Sequence, residues 1–493
     1  MSSTASDAAN PTSIGRPVPS APAPRTSRPG LIAAYRALNR NPITAFSERA
    51  YNEPIVSLIR PGRALLVSDP EAIEHILVHN AGNYRKSRQQ QRRLQPALGS
   101  GLLTSEGEVW RSTRRLAAPL FSPAAVGHLF DDMAAATRQM AMRWQTAIAP
   151  DQAVDLAAEF QRLTYEIVSR TIFSGALDQD RAQIHAHMAI YFDTLGRIDL
   201  SSFFDLPEWW PSATKVKART SLRTFRSVVD TVVKGRLEGS DGSAVSGDLL
   251  DRLMHASDPT SGRKLDADAI ADNVLTFLAA GHETTGNALA WIFYLMGLDP
   301  ASEARTRTEI DEVIGDGPVS REALDRLTFT KAVIDEAMRL YPPAPFIGRE
   351  ALASDEVAGH QVRKGSQLVI SPWIVHRHRL LWDDPDQFRP ERFLSEAAKT
   401  IPRSAFLPFG LGPRICIGQR FALQEILTVL AILVPRFRVR LADPAAVEPL
   451  ARITLQPARG VAAYVTPIKA CREAPSGTAA RSYPEAEAGR LSY

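Results

Sequence analysis

Pro408-Phe409-Gly410-Leu411-Gly412-Pro413-Arg414-Ile415-Cys416-Ile417-Gly418 is the stretch on which the reading of the fold turns. Glycines at 410, 412 and 418 surround one cysteine, and an arginine stands two residues before it. Glycine accepts positive φ and lets a backbone approach a flat ligand closely. The N–H groups of such a turn, together with the positive end of a helix that follows, stabilise a thiolate. The chain has 2 cysteines, the other being Cys471. That count excludes a disulfide framework, a four-thiolate cluster and a multi-cysteine zinc site.

A single thiolate with no neighbouring Cys or His is a poor zinc ligand set. It suffices as the axial ligand of a haem iron, where its electron donation favours O–O cleavage. A lone Cys in a glycine-rich loop is more often a buried free thiol; the whole pattern Phe409-x-x-Gly412-x-Arg414-x-Cys416-x-Gly418 reverses that balance.

Working outward, a helix is expected from Gly418 to about Val434, closed by Pro435. Asp266 is an N-cap for a long helix that ends at Gly297-Leu298-Asp299-Pro300. About 30 residues at about 1.5 Å rise make a rod of about 45 Å, enough to cross a domain. Its apolar run, Val274 to Leu298, is interrupted by His282, Glu283 and two threonines, so it reads as a buried helix and not a membrane span. Another helix, from about Phe329, stops at Leu340 because Tyr341 precedes a proline. Helical spacing also fills most of Gly107 to Glu238. Strands are expected at Ala64 to Pro70, leading into a helix from Glu71 to Val78, and at Gln367 to Pro372. Ile453 to Gln456 with Val461 to Val465 reads as a late pair. The fold class is mainly α with small β-sheets.

The 493 residues are 44% hydrophobic and 23% charged, a globular balance. Lys+Arg 58 against Asp+Glu 54 leaves +4, too slight for a nucleic-acid footprint. Residues 1–30 form a disordered leader rich in Pro and Ser, 31–470 the folded domain, and 471–493 a disordered tail. Few cysteines and no signal-peptide core fit the reducing cytoplasm.

These features resemble the cytochrome P-450 superfamily over about nine tenths of the chain, with the haem between the long central helix and the Cys loop. Ala280-Gly281-His282-Glu283-Thr284-Thr285 looks like the family's oxygen-activation segment. Glu283 and Thr284 match the acid and alcohol that the family uses as its catalytic proton donors. Gly281 would let the helix pass close to the haem face, and Thr284 would bend its hydrogen-bond ladder. Glu336 and Arg339 alone would be a surface ion pair worth little. Followed by Phe388-Arg389-Pro390-Glu391-Arg392-Phe393, they are implied to form a buried structural network with Arg392.

Cys416 is then the metal ligand, and haem b (iron protoporphyrin IX) the cofactor. Trp110 and Arg114, one helical turn apart, with Arg349 and Arg414, are implied to bind its propionates, and Phe409, Gly412 and Gly418 complete the cofactor loop. His282, His376 and His378 read as structural or exposed.

The resemblance implies a haem-thiolate monooxygenase of a hydrophobic substrate, a fatty acid or terpenoid, with Pro345 to Ile347 lining the pocket. NAD(P)H would act through a separate reductase or ferredoxin, since no flavin, dinucleotide or iron–sulfur motif appears. A basic surface that includes Arg420 would meet that partner. The enzyme would be a monomer, with peripheral membrane contact through Phe203, Phe204, Trp209 and Trp210. A haem-thiolate peroxygenase or isomerase and a non-enzymatic haem sensor are the alternatives; neither requires the acid–alcohol pair.

Overall fold

The computed structural model describes residues 16–27, 30–58, 63–174, 213–238 and 248–468. The aromatic loop with Phe203, Phe204, Trp209 and Trp210, the second cysteine Cys471 and the tail lie outside the described residues.

Among the helices of the described residues, those used below are numbered in chain order: α1 Leu31–Arg40, α2 Arg88–Leu98, α3 Gly107–Ala117, α4 Phe130–Ala147, α5 Leu156–Phe173, α6 Ala213–Glu238, α7 Ala267–Leu298, α8 Thr328–Leu340 and α9 Gln419–Leu433. The 32-residue α7 is the axis of the domain. Asp266 caps it, accepting the Ala269 N–H at 2.8 Å. Most of its side chains from Ile270 to Met296 are buried. Packing on several sides, and not one amphipathic face, therefore holds it.

Helix α5 runs against α7 at very close range. A Cβ on Gly286 would stand 2.9 Å from the Gln161 Cα, and one on Gly281 3.2 Å from Val168 Cγ2. The smallness of Gly281 thus also serves helix–helix packing. On the other side of the core α9 packs on α4.

The main sheet has five strands, β1 Ile55–Ser57, β2 Ala64–Val67, β3 Tyr84–Lys86, β5 Ile347–Ala351 and β6 Gln367–Ile370, in the order β1-β2-β6-β5-β3. Its one parallel pair, β2 with β6, sets Leu65 beside Leu368. Strands β2 and β6 bury Leu65, Leu66, Val67, Leu368 and Ile370 completely or nearly so.

Two expectations need correction. The expected late pair does not form. Leu455–Pro457 (β9) pairs with Pro449–Ala451 (β8), and Ala462–Pro467 (β10) pairs with Phe437–Leu441 (β7) and Ala153–Asp155 (β4). Tight turns decide this: Arg452 N donates to Thr454 O at 2.8 Å, closing the first hairpin. Gly460, at φ +74, then carries the chain past Asp155 with no room for a Cβ.

The leader is also ordered earlier than the sequence suggested. Residues 16–27 lie across the domain, with Pro17 O accepting from Phe388 N at 3.1 Å and Ser20 O from Tyr341 Oη at 2.7 Å. Ser20 N donates to Tyr294 Oη at 3.3 Å, and Arg25 Nε to Thr44 O at 2.8 Å. Prolines hold this segment extended, which leaves its carbonyls free to accept.

Candidate functional site

The Cys416 loop is folded by its own backbone. Cys416 N donates to Phe409 O at 2.9 Å and Ile415 N to Gly412 O at 3.0 Å. Gly410 and Gly412 both have φ +76, and a Cβ on Gly412 would fall 1.9 Å from Leu77 O. Helix α9 begins at Gln419, directly after the loop.

Cys416 is accessible to solvent, yet burial pushes its thiol up, against the Gly418 N–H and the Arg114 guanidinium, which pull it down. Accessibility combined with strong desolvation marks a group that lines a concavity. The Gly418 N–H and the Arg114 guanidinium favour the thiolate against that burial, and a bound metal would favour it further, because coordination deprotonates a thiol outright.

The central helix opens to the same kind of space. Within an otherwise buried run, Ala280 is exposed and Gly281 and Thr284 are half-buried. Thr284 Oγ1 donates to Ala280 O at 2.6 Å, spending its hydroxyl proton on the helix ladder. Glu283 is buried, its Oε1 accepting from Thr454 Oγ1 at 2.8 Å. Burial raises this carboxyl from 4.5 to about 7, opposed by the Thr454 hydroxyl.

A cluster of cations forms the rim. Lys86 on β3 is the cross-strand partner of Arg349 on β5, although like charges in opposed positions weaken a sheet. Burial is the largest cause and Arg414 the next in lowering both, Lys86 to about 7 and Arg349 to about 10. Lys86 Nζ donates to Leu102 O at 3.0 Å and Ser105 O at 3.1 Å.

The Arg414 guanidinium lies 4.2 Å over the Trp110 ring and is paired with Glu106, the one acid acting on these three cations among the described residues. Half-buried Arg114, one turn from Trp110 on α3, is lowered by burial and sits within charge range of Cys416. Three to four cations facing one carboxylate are short of anionic charge. A ligand with two carboxylates and a flat ring completes them, so these residues fit haem b and its propionates. Lys86 went unnoticed in the sequence because a lone Lys in a three-residue strand carries no signal until the register sets it opposite Arg349.

Behind the loop, Arg339 makes a two-pronged bond to Glu336, Nε to Oε2 at 2.7 Å and Nη2 to Oε1 at 2.8 Å, with both side chains fully buried. Arg392 Nε reaches Glu336 Oε1 at 3.2 Å. Arg339 also donates to His376 O, Pro385 O and Gln387 O. The neutral ring of His376, lowered to about 3 by burial, donates from Nδ1 to Arg339 O at 3.1 Å and accepts the Leu407 N–H at 2.7 Å. Leu407 O in turn accepts from Gly410 N at 3.1 Å. The network thus runs into the foot of the Cys416 loop. His282, His376 and His378 are all buried, at 4%, 0% and 1% exposure, so none of them is the exposed residue the sequence allowed. Among the described residues, no group of three His, Cys, Asp or Glu side chains could hold a metal ion.

Fold and site together define a haem-thiolate protein. The chain belongs to the cytochrome P450 family, whose sequence model matches residues 40–461. It is similar to cyclooctat-9-en-7-ol 5-monooxygenase of Streptomyces melanosporofaciens, 31% identical over 417 residues covering 83% of this chain and 88% of the relative. Cyclooctatin synthase of the same organism is 31% identical over 430 residues, 86% of this chain and 92% of the relative. Protein LUTEIN DEFICIENT 5, chloroplastic, of Arabidopsis thaliana is 30% identical over 400 residues, 78% and 67% of the two chains. The crystal structure of the cytochrome P450DA heme domain superposes with TM-score 0.78 at 26% identity, covering 92% of this chain and 99% of that one. The protein is a haem-dependent monooxygenase, an oxidoreductase that draws NAD(P)H electrons through a redox partner. Among the described residues no helix is long and apolar enough to cross a membrane.

Proposed function

We propose that this enzyme hydroxylates a cyclic terpenoid, with Cys416 as the residue that would hold the haem iron and Glu283 and Thr284 as the proton donors. The observation that carries the site assignment is the pairing of a solvent-accessible yet desolvated Cys416 with the single opened turn of α7 at Ala280 to Thr284. The names of the two Streptomyces relatives support the substrate class and favour it over a fatty acid.

Haem b, when bound, supplies dioxygen activation and oxygen transfer. Cys416 holds the iron, while Trp110, Arg114, Arg349, Arg414 and Lys86 hold the propionates by charge-assisted hydrogen bonds. Gly410 and Gly412 supply the positive φ that the loop requires, and Phe409 O accepts the Cys416 N–H. Glu283 takes a proton up on a carboxyl that is half-protonated near neutrality, and Thr284 Oγ1 passes protons into the cavity when it exchanges Ala280 O for a neighbouring acceptor.

The redox partner would meet the face where Arg321, Lys331 and Arg420 rim a cavity of about 360 Å³ between α8 and α9. Asp325 and Asp335 share that rim, so the surface is mixed and not purely basic as expected.

Spin-state titration with cyclic diterpenoid alcohols and with linear fatty acids of equal carbon number tests the substrate class. Tighter binding of the cyclic compounds is expected, and a response to linear acids alone overturns it. The acid–alcohol pair favours a monooxygenase over a peroxygenase or isomerase; Thr284→Ala should keep haem and release hydrogen peroxide in place of product.

A further inference from the structure

Glu283 stands at the end of a chain of side-chain hydrogen bonds that all point one way. Gln161 Nε2 on α5 donates to Asn287 Oδ1 at 3.0 Å, Asn287 Nδ2 donates to Thr454 Oγ1 at 3.4 Å, and Thr454 Oγ1 donates to Glu283 Oε1 at 2.8 Å. The direction follows from the orientation of the two amides. Because Asn287 Oδ1 accepts from Gln161, its amide N–H groups must face Thr454, and because Thr454 Oγ1 accepts from Asn287, its only proton is left for the carboxyl.

Three aligned donors strengthen one another in a dry interior and favour the carboxylate over the acid. Glu283 Oε2, in contrast, is buried with no partner. The carboxyl is thus bound on one oxygen and bare on the other, which balances its two protonation states.

The outer end of the chain is half-buried Gln161, which sits where α5 and α7 come closest. Gly286 lies against the Gln161 backbone, so this contact fixes the reach from Gln161 to Asn287. Other ionisable groups lie on the elements packed against α7. They include Glu159, Arg162, Glu166 and Arg170 on α5, Arg226, Asp230, Lys234 and Arg236 on α6, Arg420 and Glu425 on α9, Lys331, Asp335, Glu336 and Arg339 on α8, and Arg452 in the β8–β9 turn. None of them, nor His282 beside it, adds a charge interaction to Glu283; burial and Thr454 are the two causes acting on it.

We propose that Gln161, Asn287 and Thr454 are positioning residues that act in series to orient the Glu283 carboxyl and to set the pH at which it takes up and gives up its proton. The inference rests on the reading of Glu283 as a proton donor given above.

Isotope-edited infrared spectroscopy of the resting full-length holoenzyme, with the Glu283 band assigned by its loss in Glu283→Gln, follows the carboxyl titration without turnover. Thr454→Val, which removes the hydroxyl at constant shape, should raise the midpoint by about one to two pH units. Asn287→Leu should raise it less, and Gln161→Leu least. Thr454→Ser should restore the parent value, which a merely structural role for Thr454 would not predict. The pH profile of product formed per reductant consumed should move in the same direction. An unchanged midpoint in Thr454→Val and Asn287→Leu overturns the inference, even when Glu283→Gln uncouples turnover. If Glu283→Gln leaves coupling intact, the proton-donor reading fails instead, and the infrared midpoints still decide whether the chain controls the carboxyl.

Discussion

The Arg414 guanidinium stacks 4.2 Å above the indole of Trp110, tying the Cys416 loop to helix α3. A cation over an aromatic face gains about 0.5–2 kcal/mol. Trp110→Leu should therefore weaken haem retention by about 2- to 30-fold, while Trp110→Phe should fall between it and the parent. Haem transfer to apomyoglobin measures this. Equal transfer rates for all three proteins would remove Trp110 from the cofactor site.

Cys416→Ser should abolish the thiolate-type absorption of the reduced carbon monoxide complex. If the band survives, the ligand assignment is wrong.

Glycine strain in the loop has two grades. Gly410 and Gly412 share φ +76, but a Cβ on Gly410 meets nothing closer than 3.9 Å, whereas one on Gly412 meets the Leu77 carbonyl. Gly410→Ala should cost about 1–2 kcal/mol, the ordinary left-handed penalty. Gly412→Ala should cost more and should lose haem, because backbone cannot yield as a side chain can. Urea midpoints and haem content per chain check both; similar losses at the two positions would refute the distinction.

Burial holds the Glu283 carboxyl at about 7, above its free value of 4.5. Its protonated form is the one the fold favours. The associated stability is complete below pH 4.5 and is lost as pH rises through about 7, a change of roughly 3 kcal/mol. Glu283→Gln, uncharged throughout, should flatten that part of the curve. Asp335 is likewise raised to about 7 and affects both proteins, so it cancels in the difference. Parallel curves of unfolding free energy against pH would show that Glu283 is not desolvated.

Glu336→Ala strands Arg339 and Arg392 in the core without their carboxylate. A loss of about 3–5 kcal/mol is expected, enough to prevent haem loading at physiological temperature. Arg392, which meets Glu336 through one nitrogen and two carbonyls where Arg339 uses a two-pronged pair and three carbonyls, should tolerate Lys better than Arg339 does. A midpoint within error of the parent in Glu336→Ala would contradict the network.

The long helix was legible because Asp266, the apolar run and Pro300 mark its ends independently. The Glu336, Arg339 and Arg392 constellation was legible because two short motifs agree. What escaped was pairwise geometry: the register that opposes Lys86 to Arg349, the turn at Arg452 to Thr454 that re-routes the last strands, and the reach of Thr454 to Glu283. Each depends on residues far apart in sequence whose side chains say nothing singly. The packing of Gly281 against Val168 escaped as well, because a glycine signals close approach without naming what approaches.

The extended segment at residues 16–27 has a practical bearing on how the enzyme is handled. Ser20 is knotted to Tyr294 of the central helix and to Tyr341 at the end of α8, and Pro17 to Phe388. Trimming a proline-rich start that looks dispensable would cut these ties and take a partner from two tyrosine hydroxyls and one backbone amide, so expression variants should keep the chain from Arg16 onward and place any purification handle ahead of it.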